Sequence, residues 1–148
     1  MDITWLTDRI ALGGGIWHSD DKMAQLKDDG ITHIINMQEE CDDTELGKKH
    51  GIEVLENPTH DDFEPKPAEL FRLGVDFALA ALEKSDAKVY IHCAAGVHRA
   101  PMMALAVLCK IDRMSVEDAM QLIEEKRPVA DFADVYVRSV ENFLASDG

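Results

Sequence analysis

The chain has 148 residues, with 29 acidic against 15 basic side chains and a formal charge of −14. That balance argues against a nucleic-acid partner, because phosphate backbones are held by basic patches, and against a stable seat on anionic membranes. A hydrophobic share of 46% suits a folded protein with one core rather than a disordered chain, so a single domain over residues 1–148 is expected.

Taken in chain order, a first strand fits residues 10–12. A helix follows from Ser19 or Asp20 to Asp29, stopped by Gly30. A strand fits residues 33–37, then a short helix precedes Gly51, then a strand fits residues 53–56. Residues 57–67 are rich in Pro and Asp and read as a functional loop rather than a linker. Over residues 67–84, Leu70, Gly74, Phe77 and Ala81 fall at helical spacing, as do Phe71, Val75, Ala78 and Leu82. Residues 88–92 read as a short apolar strand. Residues 100–111 are apolar nearly all round, which predicts a central, buried helix, too short to cross a bilayer. Ser115 and Asp118 form a capping-box pattern for a helix through Lys126, ended by Pro128. A last helix covers residues 131–144. This alternation predicts an α/β fold with a central, mainly parallel sheet of about 4–5 strands flanked by helices.

The most informative segment is residues 92–101, His-Cys-Ala-Ala-Gly-Val-His-Arg-Ala-Pro. It lies between a strand and a helix, where anion sites of such folds occur. A tight loop ahead of a helix points N–H groups into its hollow, and the helix dipole adds positive character. Gly96 permits the turn. Arg99 offers a planar fork for two oxygens of a tetrahedral anion. The same field favours the thiolate of Cys93, the nucleophilic form of cysteine. The backbone of Ala94, Ala95, Gly96, Val97, His98 and Arg99 is expected to hold the anion. His92 is expected to brace the loop through a ring N–H to a backbone carbonyl.

The segment from His92 to Arg99 resembles the signature of the cysteine-dependent protein tyrosine phosphatases, and the short chain resembles their dual-specificity branch. Residues 7–13, 26–37 and 125–128 are similar to further landmarks of that branch in the same order. The resemblance implies hydrolysis of phosphomonoesters through a phosphocysteine on Cys93. No metal and no cofactor take part, and the substrate is a phosphorylated protein or peptide, phosphotyrosine first. It also implies an aspartate on an upstream loop that protonates the leaving oxygen. Asp61 and Asp62 both lie in that window, and the Asp-Phe-x-Pro stretch at residues 62–65 favours Asp62. His60 reads as a solvated loop residue.

Three positions depart from the family pattern. Ala100 stands where relatives carry Ser or Thr, whose hydroxyl helps the thiolate leave; the phosphatases of regenerating liver have a similar Arg-Ala-Pro run. His98 stands where Gly or Ser is more usual, and is read as a rim residue facing solvent or, less favoured, touching substrate. The late Gln or Asn that positions water has no match among residues 129–137, where Asp131 and Asp134 read as capping or solvated. A slow second step is therefore expected, with a phosphate-binding module of negligible turnover as the alternative. A sulfur-transferring, rhodanese-like domain is a remoter rival. Cys41, Cys93 and Cys109 do not make a disulfide framework, although Cys41 or Cys109 is a candidate to protect Cys93 reversibly. With no signal peptide or lipidation motif read, a cytoplasmic location is the default.

Overall fold

The computed structural model describes residues 1–147. Five strands form one sheet: β1 Ile3–Trp5, β2 Ile10–Gly13, β3 His33–Gln38, β4 Glu53–Thr59 and β5 Val89–His92. Their spatial order is β1-β2-β5-β3-β4. Only β1 runs antiparallel to its neighbour; β2, β5, β3 and β4 are parallel. The two flanking registers meet at the end of β5, where His92 pairs with Gly13 on one side and Asn36 on the other. All four residues of β5 are buried, as a central parallel strand covered on both faces requires.

Side chains alternate across this strand and seed two cores. Val89 and Ile91 join Leu12, Ile35 and Met37 under helices α3 Ala68–Leu82, α4 Arg99–Ile111, α5 Val116–Lys126 and α6 Asp134–Asp147. Tyr90 joins Ala11 and Ile34 beneath α1 Asp20–Asp28 and α2 Thr44–Lys49, which contribute Met23, Leu26 and Leu46. The helix α4 is buried from Arg99 to Leu108, as its unbroken apolar sequence predicts. It packs tightly on α3, for a Cβ on Gly74 would sit 2.5 Å from Met103 Sδ. Each large apolar side chain buried here contributes about 1.5–3 kcal/mol. Among the described residues, no helix is long and apolar enough to cross a membrane.

The helix starts follow the caps. Ser19 Oγ accepts the N–H of Lys22 at 3.2 Å, and Ser115 Oγ accepts that of Asp118 at 3.1 Å. Gly30, at φ +94°, closes the turn after α1.

Three differences from the sequence reading bear on the site. The three-residue β1 was not expected; it is a short edge strand that carries Asp2 beside it to the anion loop. β4 continues through Asn57 and Pro58 to Thr59, which a proline allows on an edge strand. α6 begins at Asp134 rather than 131, and the N–H of Asp131 instead donates to Val97 O at 2.9 Å, tying the preceding turn to the anion loop.

Candidate active site

Cys93 follows the last residue of β5, and α4 begins at Arg99, so the loop between them sits at the C-terminal edge of the sheet. Every carbonyl from Cys93 to Val97 has an outward partner. His92 Nδ1 lies 3.3 Å from Cys93 O, and the N–H of Gly15 donates to Ala94 O at 3.1 Å. Arg127 takes the next two, donating from Nη2 to Ala95 O at 3.1 Å and from Nε to Gly96 O at 2.8 Å. The N–H of Asp131 takes Val97 O. In a planar trans peptide the N–H of the next residue points opposite to the carbonyl. The N–H groups of Ala94, Ala95, Gly96, Val97 and His98 are thereby turned inward. Gly96 has φ +67°, and a Cβ there would meet Arg127 Nη2 at 2.5 Å and Gly13 at 2.7 Å. Cys93 is 3% exposed, and the N–H of Ala100, in the first turn of α4, donates to its Sγ at 3.3 Å. That position at a helix N-terminus stabilises negative charge on sulfur.

Arg99 is 5% exposed. Its Nη1 and Nη2 donate to Glu40 Oε1 and Oε2 at 2.7 and 2.9 Å, and Nη1 donates again to Thr59 O at 3.1 Å. A guanidinium has five N–H groups. Three are used, and Nε, though buried, has no partner among the described residues. The Nε–H and one Nη2–H remain as a two-donor fork of the kind that binds a phosphoryl group. Arg99 in turn holds the Glu40 carboxyl down to about 2, and Glu40 pushes the arginine up.

His92 is buried, and its brace is more than a ring contact to a carbonyl. Nε2 lies 2.5 Å from Asp43 Oδ2, and the ring stacks on Tyr90. Arg127 is held by Asp2, at 3.0 and 2.8 Å, and by Thr4 Oγ1 at 3.0 Å. This pairing lowers the carboxyl of Asp2 below its usual range. Glu40, Asp43 and Arg127 were not singled out for the site from sequence.

The two adjacent aspartates have different surroundings. Asp62 donates nothing to the loop and is engaged elsewhere: its Oδ1 accepts from Lys66 Nζ at 2.8 Å and from the N–H of Glu64 at 3.2 Å. Lys66 chiefly, with that amide, holds its carboxyl below the usual range, the wrong direction for an acid catalyst. Asp61 instead faces the anion loop. Its Oδ2 lies 3.1 Å from His98 Nδ1, and its Oδ1 accepts from the hydroxyl of Tyr136 at 3.0 Å. Burial, aided by Asp61, raises the phenol of Tyr136. Phe63, next in the chain, lies at φ +57°, anchored by its N–H to Tyr136 Oη at 3.0 Å.

His98 and Asp131 also differ from expectation. Neither is merely solvated, since His98 Nε2 lies 3.1 Å from Asp131 Oδ2. His60 pairs with Glu39. Trp17 and His18 have positive φ as Phe63 does, so three of the four such non-glycine residues border this site. Such conformations cost about 1–3 kcal/mol each and cluster at functional loops. Cys109 lies near the far end of α4, about 15 Å from Arg99 along the axis at ~1.5 Å per residue, which is beyond the reach of a disulfide to Cys93. Burial raises its thiol to about 11 and also raises that of Cys41.

A cysteine beneath a ring of inward N–H groups, with an arginine fork left open beside it, defines a phosphoryl-binding nucleophile loop. Residues 16–143 match the catalytic domain of the dual specificity phosphatases, and the chain belongs to that family. It is 29% identical over 126 residues to the tyrosine-protein phosphatase vhp-1 of Caenorhabditis elegans, covering 85% of this chain and 19% of that protein. It is 30% identical over 104 residues to human dual specificity protein phosphatase 16, covering 70% of this chain and 15% of that protein. The chain thus spans a small part of the curated relatives it matches. Among solved structures, PTPMT1 in complex with PI(5)P superposes with a TM-score of 0.87 at 24% identity, covering 97% of this chain and 95% of that one. Human DUSP28 superposes at 0.85 and 17% identity, covering 100% and 97%. Both likenesses establish the fold.

Proposed function

We propose that the protein hydrolyses phosphomonoesters through a phosphocysteine intermediate. The observation that carries this reading is the unpartnered, buried Nε of Arg99, beside a cysteine whose loop turns its N–H groups inward. Cys93 Sγ attacks phosphorus, and the bond to the leaving oxygen breaks. The inward N–H groups of residues 94–98 and the Arg99 fork stabilise the charge on the three equatorial oxygens. Asp61, in place of Asp62, gives the leaving oxygen its proton. The Asp61 carboxylate then takes a proton from water, which attacks phosphorus and releases Cys93 Sγ.

The substrate class we infer is phosphotyrosine in a protein or peptide with basic residues nearby. Glu39, Asp61, Asp62 and Asp131 surround the loop, and Lys66 and His98 are already engaged by carboxylates. A substrate bearing a second phosphate meets repulsion there, whereas lysine or arginine beside the phosphoresidue meets attraction. Ala94, Ala95 and Val97 add no cation within the loop. Phe63, 51% exposed and packed against His98, offers an apolar wall to an aromatic ring. This favours a phosphopeptide over an inositol phospholipid such as the one in the PTPMT1 complex.

Ala100 favours a second reading. It supplies a backbone N–H to Cys93 but no hydroxyl, so phosphate capture with negligible turnover is the alternative. Single-turnover and steady-state hydrolysis of p-nitrophenyl phosphate, without metal, decides between them. A burst and slow turnover, absent from Cys93→Ser, supports the enzyme. Vanadate binding with no release of nitrophenol supports the module.

A further inference from the structure

We propose that His98 is a positioning residue for the acid step, its ring bridging Asp61 to Asp131 and so holding Asp61 over the anion loop. This rests on the phosphatase reading above. Carboxylate oxygens lie at 3.1 Å from each ring nitrogen, Asp61 on one side and Asp131 on the other. Hydrogen bonds at both ring nitrogens fix the plane of the imidazole between the two carboxyl groups. The far carboxylate is itself fixed, because the N–H of Asp131 is bonded to Val97 O at 2.9 Å. A continuous tether therefore runs from the loop backbone through Asp131 and His98 to Asp61. Tyr136 holds the other oxygen of Asp61, and the Phe63 ring meets His98 edge-on at 5.0 Å and stacks on Tyr136 at 5.7 Å. The usual Gly or Ser at this position has no ring to span the two loops.

The acid loop is thus held on one side by a residue inside the phosphate loop itself.

The test compares p-nitrophenyl phosphate, whose leaving group needs little acid, with phenyl phosphate, which needs it. His98→Asn is expected to lose about tenfold to a hundredfold in kcat/KM on phenyl phosphate, the scale of a misplaced catalytic group, and little on p-nitrophenyl phosphate. Placed in an Asp61→Asn background, the same substitution is expected to have no further effect. Equal losses on both substrates, or a full additional loss in that background, would mean a structural role and overturn the proposal. Ring nitrogen shifts by NMR supply a readout independent of turnover. Hydrogen-bonded shifts at both ring nitrogens of His98 are expected, the Nδ1 signal moving in Asp61→Asn and the Nε2 signal in Asp131→Asn. A ring whose shifts ignore both substitutions overturns the tether. Should the wild type hydrolyse neither ester, the phosphatase reading falls, and the ring measurement alone decides whether His98 binds the two carboxylates.

Discussion

Arg99 meets Glu40 end-on, through Nη1 and Nη2 at 2.7 and 2.9 Å, and so keeps its side-on pair of N–H groups for a ligand. The ion pair fixes the plane of the guanidinium before any phosphate arrives, which lowers the ordering cost of binding. Glu40→Gln is expected to weaken vanadate binding and lower kcat/KM by about ten- to a hundredfold through loss of this orientation. The pair also predicts a pH dependence. The Glu40 carboxyl is lowered from 4.5 to about 2, so its contribution to stability is present above 4.5 and lost as pH falls toward about 2. Urea unfolding at neutral pH and at successively lower pH should show the gap between wild type and Glu40→Gln closing across that window. A gap constant with pH would contradict the assignment.

The brace at Arg127 is a stability device as well as a catalytic one. Arg127→Met leaves the carbonyls of Ala95 and Gly96 without their side-chain donors and Asp2 without its partner. An unsatisfied buried polar group costs about 1–3 kcal/mol, and the Gly96 carbonyl is the buried one of the three, so a loss of about that size and a fall in Tm are expected. Vanadate binding should weaken too, because the inward N–H groups of the loop depend on those outward carbonyls. Gly96→Ala should act on the same parts, through its φ of +67° and its contact with Arg127. The two effects are expected to be non-additive in a thermal-melt double-mutant cycle.

How far the sequence carried the reading follows from where each contact originates. The nucleophile loop is contiguous, so Cys93, Gly96 and Arg99 were legible as a unit, as were the four strand-to-helix alternations that place it. Glu40 and Arg127 reach the loop from 59 and 31 positions away. Nothing local distinguishes them from other surface charges; tertiary packing alone gives them their roles. The preference proposed here for Asp61 over Asp62 was not legible for a different reason. Adjacent carboxylates point apart, and only their tertiary partners, His98 and Tyr136 for Asp61 and Lys66 for Asp62, tell them apart. The edge strand β1, with three half-buried residues, carries too short a pattern to be seen.

The two aspartates separate cleanly by experiment. Asp61→Asn is expected to lower kcat/KM on phenyl phosphate by about 10²–10⁴-fold, the usual contribution of a general acid, with a much smaller loss on p-nitrophenyl phosphate. Asp62→Asn removes only the exposed carboxylate that accepts from Lys66. Its effect should be within a few-fold on both esters and independent of the leaving group. Leaving-group plots for the two variants check this, and a steep dependence in Asp62→Asn would return the acid role to that residue.

Ala100 governs the second step. The breakdown of phosphocysteine returns negative charge to sulfur, and here the N–H of Ala100 donates to that atom at 3.3 Å. A hydroxyl at residue 100 would add a donor where charge develops, an effect worth about 10²–10³ in rate when such a donor is removed from comparable sites. Ala100 is fully buried, so an added oxygen must find that partner to avoid a desolvation cost. Ala100→Ser is therefore expected to raise the steady-state rate on p-nitrophenyl phosphate while leaving the burst rate constant nearly unchanged. Rapid-quench measurement of the phosphoenzyme should show it accumulating in the wild type and falling in the variant. An unchanged steady-state rate with an unchanged burst would place the slow step elsewhere, in product release or loop opening rather than in the departure of Cys93.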